Sequence, residues 1–137
     1  MKGIADTGFV VAFANKNDIY HKWAIHLAST IESPLLTCEA VLAESAFHLQ
    51  NISFVLSLLD SGLLELRFRA AEHMSELLLL ARKFADQKPD FADICLIRMS
   101  ELFPTLSVLT TDRKDFEIYR RNHREHIPIL CPHGNSL

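Results

Sequence analysis

The sequence predicts an α/β fold, a central and mostly parallel sheet flanked by helices. Three observations lead there. Short apolar runs that read as strands, at residues 4–5, 35–38, 63–68, 105–110 and 127–130, alternate with longer stretches whose apolar residues recur at helical spacing. Parallel neighbours need a crossover, which is usually a helix, and the alternation supplies one. The length and composition, 137 residues with 49% hydrophobic and 23% charged side chains, suit one packed core. No repeat, low-complexity tract or linker divides the chain, so residues 1–137 are expected to form a single domain.

Ile4 and Ala5 make a very short strand that ends at Asp6 and breaks into a helix carrying Phe9, Val10, Val11 and Phe13. A polar turn at 15–18 follows. From Ile19, apolar residues recur at Trp23, Ala24, Leu27, Ala28 and Ile31 near helical spacing, and Ser33-Pro34 stops that helix. After the second strand a helix begins at Glu39 with Val41, Leu42, Ala46, Phe47 and Leu49, and a shorter one covers 52–59. Ser61-Gly62 punctuates before the third strand, whose later half alternates. Residues 70–85 lack Gly and Pro, are rich in Leu, Ala and Glu, and predict a helix. Pro89 interrupts, and a helix over 90–103 closes at Pro104. The fourth strand ends at Thr111-Asp112, a helix over 114–121 follows, and the fifth strand is last.

Cys38, Cys95 and Cys131 are widely separated with no C-x-x-C, which predicts buried free thiols and not a zinc site or a disulfide framework. The apolar runs fall short of the roughly 18 residues a membrane span needs. An acid at position 6 does not fit a secretion signal, so a cytoplasmic protein is expected. The formal net charge of −3 gives no global basic field for nucleic acid, so any such contact needs a local patch or metal ions.

In open α/β sheets ligands bind outside the carboxyl ends of the strands, where Asp6 and Asp112 both fall. Charges beside a core need partners or a cation. Glu44 lies among apolar neighbours; it is either a third member of the cluster, a solvated helix glutamate or a partner for a basic residue. Asp90 and Asp93 share one face at a helix start, with Asp90 the expected N-cap. Asp93, between Ala92 and Ile94, is harder to explain as a cap. Carboxylates without His or Cys ligands favour Mg2+ or Mn2+, and such ions serve phosphodiester hydrolysis.

These residues, in this order, resemble the PIN-domain family, whose small members include VapC-type toxin ribonucleases. Ile4-Ala5-Asp6-Thr7-Gly8 is similar to the family's opening, residues 17–24 to the polar loop and His-x-x-Ala helix start, and Val41-Leu42-Ala43-Glu44 to the segment with the helix glutamate. Pro89-Asp90-Phe91-Ala92-Asp93-Ile94 resembles the third acidic segment, and residues 108–116 the strand-end Thr-x-Asp followed by a basic residue and Asp-Phe. The resemblance implies a sheet in 3-2-1-4-5 order and an endoribonuclease dependent on Mg2+ or Mn2+. It assigns Asp6, Glu44, Asp93 and Asp112 as catalytic metal ligands, with Asp90, Thr7 and Thr110 accessory. It also implies an RNA substrate and, often, an antitoxin partner.

The densest basic stretch supplies Arg113, Lys114, Arg120 and Arg121 as RNA-binding candidates, the other reading being a solvated helix end. His21 is a candidate helix-start or substrate contact. Trp23 and Phe9, Phe13, Phe47, Phe84 and Phe91 are expected in the core. The leucines at 77–80 are apolar on all sides of a helix, so one face should meet a second copy of the chain or an antitoxin. A catalytically inactive PIN domain, acting as an RNA-binding or scaffold module, is the alternative function. A receiver domain would need a Lys near the last strand, and a dinucleotide-binding domain a G-x-G-x-x-G; neither is present.

Overall fold

The computed structural model describes residues 2–32 and 34–133; Ser33, half of the expected helix stop, lies outside them. Its elements run β1 (Gly3–Ala5), α1 (Thr7–Ala14), α2 (His21–Thr30), β2 (Leu35–Thr37), α3 (Glu39–Leu49), α4 (Ile52–Asp60) and β3 (Leu64–Leu66), then α5 (Met74–Lys83), α6 (Phe91–Leu102), β4 (Ser107–Leu109), α7 (Arg113–Ile118), β5 (Arg120–Arg121), β6 (Glu125–His126) and β7 (Ile129–Leu130). The main sheet has the order β3-β2-β1-β4-β7 and every pairing in it is parallel. With the β5-β6 hairpin set aside, that is the expected 3-2-1-4-5 order.

β1 occupies the middle because all three of its residues are buried and tolerate neighbours on both edges. It pairs Ile4 with Leu36 on one side and Gly3, Ile4 and Ala5 with Ser107, Val108 and Leu109 on the other. Gly3 has no Cβ because the Leu109 side chain takes that space. Around the sheet, α1 packs on α2 and α3, α3 also on α4 and α6, and α5 on α6. Phe9 anchors the α1 layer, stacking with Phe13 and meeting Trp23 edge-on. Each large apolar side chain fully buried here contributes about 1.5–3 kcal/mol relative to exposure. No helix among the described residues is long and apolar enough to cross a membrane.

Four expectations need correction. Residues 70–85 are not one helix: Ala70–His73 form a 3-10 turn before α5, and Ala85–Gln87 form another after it. The break falls where the His73 ring stacks on Phe68 at 5.0 Å, which fixes the chain there. The helix over 114–121 stops at Ile118. Asn122 and His123 both have positive φ, turning Arg120–Arg121 back on Glu125–His126 as a hairpin.

Arg121 is therefore withdrawn as an RNA contact. It is 4% exposed, and its guanidinium donates to the Ser100 carbonyl and hydroxyl, the Pro104 carbonyl and Glu125. Phe47 and Phe91 leave the core, at 77% and 55% exposed. Phe47 sits opposite the α3 face that buries Val41, Leu42 and Ser45, and Phe91 is the first residue of α6. Of the leucines at 77–80, Leu77 and Leu80 are buried while Leu78 and Leu79 are exposed. Among the cysteines, Cys38 and Cys95 are buried free thiols and Cys131 is half-buried.

Candidate active site

β1 and β4 lie side by side with Ala5 opposite Leu109, so the residues that follow each strand reach the same end of the sheet. Asp6 follows β1 and caps α1. One carboxylate oxygen accepts the Thr7 N–H at 2.7 Å and the other the Thr110 hydroxyl at 2.6 Å. The Thr110 hydroxyl in turn accepts the Asp112 N–H at 2.9 Å, which ties the end of β4 to the end of β1. Asp112 caps α7 by accepting the Asp115 N–H at 3.1 Å. Extended strand ends are natural N-cap positions for the helices that follow, and a capping carboxylate satisfies an N–H that the helix leaves unpaired.

Asp90 caps α6 as expected, accepting the Asp93 N–H at 2.8 Å. Asp93, in the first turn, accepts the Tyr119 hydroxyl at 2.9 Å. Glu44 enters from the middle of α3. These side chains line one open cleft of about 540 Å3 with Thr7, Gly8, His48, Lys88, Thr111 and Asp115. Gly8 permits the approach, since a Cβ there would run into the Thr111 hydroxyl.

The cleft is hostile to its own negative charge. Burial pushes Asp6 up to about 6 against the hydrogen bonds from Thr110 and Thr7, and Glu44 and Asp90 add to the rise. Burial pushes Asp93 up to about 7, reinforced by Asp90 and by the more distant Asp6 and Asp112, with the Tyr119 hydroxyl pulling the other way. Glu44 is raised by burial and by Asp90, and Asp115 by burial and by Asp112. The Thr7 hydroxyl is buried without a hydrogen bond of ordinary geometry, though near enough to Glu44 to offset part of that rise.

Thus Asp6, Glu44, Asp93 and Asp112 share one cleft with Asp90 and Thr7, and Thr110 lies directly behind Asp6. Among the described residues no three His, Cys, Asp or Glu side chains form a ready-made coordination shell. The donor set still suits a hard divalent ion: it is all oxygen, several of its carboxylates are held above their ordinary range, and the buried Thr7 hydroxyl lies beside Glu44 without a well-formed hydrogen bond. Of the basic candidates, Lys114 is exposed, Arg113 pairs with Glu117 at 3.3 Å, and Arg120 donates to the carbonyls of Glu117, Ile118 and Tyr119 at the end of α7. The imidazole Nδ1 of His21 is 2.7 Å from the Ala12 carbonyl, joining the start of α2 to α1 and leaving it outside the cleft lining.

Two residues at this site, Tyr119 and Lys88, were not legible as such, while a third, His48, had a signal in its spacing. Tyr119 lies in what reads as a helix, far along the chain from Asp93. Lys88 reaches the cleft through a left-handed backbone turn, φ 52°, just before Pro89. His48 follows Glu44 by one helical turn, a spacing that places it on the same face and was available in the sequence.

No family model matches the chain, and no curated protein matches it. Among solved structures, VapC20 of Mycobacterium tuberculosis, described as a toxin that cleaves the sarcin-ricin loop, superposes with a TM-score of 0.73 over 83% of this chain and 92% of that one. The fold is PIN-like. At 16% identity the likeness to the VapC20 toxin is one of fold. The roles of side chains in this PIN-like chain rest on its own geometry.

Proposed function

We propose that this protein is a metal-dependent endoribonuclease acting in the cytoplasm as the toxin of a toxin–antitoxin pair. The observation that carries the reading is the gathering of Asp6, Glu44, Asp90, Asp93, Asp112 and Asp115 around one cleft at the carboxyl end of a PIN-like sheet, with Asp6 and Asp93 raised to about 6 and about 7. Such a cluster is costly by itself and becomes favourable around a cation.

Asp6, Glu44, Asp93 and Asp112 would hold Mg2+ or Mn2+, with Asp90 and Asp115 as outer acids. The ion's contribution is to lower the pKa of a bound water and to stabilise charge on the phosphodiester oxygens. The protein's own part is positioning. Thr110 orients the Asp6 carboxylate through its hydroxyl proton and holds the Asp112 backbone N–H on its hydroxyl oxygen, so one side chain ties together the two strand ends that carry these acids. Thr7 offers a further hydroxyl beside Asp6 and Glu44. Lys88 on the cleft wall and exposed Lys114 and Arg113 supply positive charge for flanking RNA phosphates.

The test incubates purified protein with a structured RNA containing a sarcin-ricin-type loop and with unstructured RNA, in Mg2+, Mn2+ or EDTA. Internal cleavage with either ion and none in EDTA is expected. RNA binding with no cleavage under any condition would replace this reading with that of an inactive PIN-like scaffold.

A further inference from the structure

Tyr119 is fully buried at 0% exposure, yet its ring ends on a carboxylate of the cleft. The Phe84 and Phe116 rings meet it edge-on, each at 5.3 Å, with interplanar angles of 71° and 89°. Its backbone is held as firmly: the N–H donates to the Asp115 carbonyl at 3.0 Å, closing α7, and its carbonyl accepts from Arg120 at 3.0 Å. A phenylalanine would fill this aromatic cluster as well and would need no acceptor. What the hydroxyl adds is a single bond, at 2.9 Å, to Asp93 Oδ2.

That bond joins two elements that each bring an acid to the cleft, Asp93 on α6 and Asp112 at the start of α7. With Oδ2 engaged by a phenol whose ring is immobilised, the carboxylate is fixed in rotation and Oδ1 is left for the cleft. Asp6 is likewise fixed in rotation, with the Thr110 hydroxyl on one oxygen and the Thr7 N–H on the other. Outer groups that orient a ligand in this fashion commonly affect metal affinity by about 10–100-fold.

We infer that Tyr119 is a positioning residue, holding the Asp93 carboxylate in the rotation that presents Oδ1 to a divalent ion and keeping α6 and α7 in register across the cleft. The inference rests on the metal-nuclease reading above. It is tested with wild type, Tyr119→Phe and Phe116→Leu, by calorimetric Mn2+ titration, thermal melts, and kcat and KM on one RNA. Tyr119→Phe should melt cooperatively, bind Mn2+ about tenfold more weakly and lose kcat with KM for RNA unchanged. Phe116→Leu, which loosens the same cluster but keeps the hydroxyl, should melt lower and bind Mn2+ as wild type does. Equal Mn2+ affinity in wild type and Tyr119→Phe, or equal weakening by both variants, overturns the positioning role while leaving the nuclease reading intact. A wild type that neither binds Mn2+ nor cleaves RNA removes both.

Discussion

At the scale of single residues, the carboxylates of the cleft set both the expected chemistry and its cost. Asp6→Asn and Asp112→Asn keep shape while removing a charge that would hold the ion, so RNA cleavage should fall by orders of magnitude with the fold retained. Full activity in both variants would defeat the proposed mechanism. The same charges give the metal-free protein a pH dependence of definite sign. Asp6 and Asp93 have folded pKa values of about 6 and about 7 against an ordinary value of 3.8. Between those limits the folded chain keeps protons that the unfolded chain has released, so stability falls as pH rises. The penalty is absent below about pH 4 and complete above about pH 7. Melts of metal-free protein from pH 5 to pH 8 should show this decline, and Asp93→Asn should flatten it. An unchanged slope in that variant would mean that Asp93 does not carry it.

At the scale of elements, short helices are set onto strand ends by their caps. Asp90 accepts the Asp93 N–H, and Asn at that position can do the same. Asp90→Asn should therefore cost little stability, and Asp90→Ala about 0.5–2 kcal/mol, a contrast that urea unfolding resolves. Arg121 belongs to the same scale. It ties the β5-β6 hairpin to Ser100 on α6 and to Pro104 beyond it, and removing it strands two carbonyls and a hydroxyl. Arg121→Ala should lower stability by at least about 2 kcal/mol while leaving the salt dependence of RNA binding unchanged. A weakened salt dependence in a folded Arg121→Ala would return this residue to the RNA-binding set.

At the scale of the whole molecule, apolar side chains remain on the surface. Leu78 and Leu79 stand out on α5, and Phe47, Ile52 and Leu56 on α3 and α4. Under the proposed function these faces meet an antitoxin or a second copy, and sedimentation of the purified chain over a wide concentration range should show association. A strict monomer at high concentration would remove the homodimer.

The sequence by itself determined the parallel sheet and the placing of Asp6 and Asp112, while the strand order followed only from the resemblance to the PIN-domain family. Apolar periodicity fixes which segments are strands and which are helices, and a strand's end fixes where the next side chain points. Asp90 was legible as a cap because capping is local. Only the tertiary structure decided that Phe47 faces outward, since α3 has apolar residues on more than one side and its neighbours choose among them. It alone turned Arg121 inward, because two left-handed residues reverse the chain where periodicity continues a helix. And it alone brought Tyr119 to Asp93, a contact between residues 26 apart whose acceptor is set by how α7 packs beside α6, which no spacing in the chain encodes.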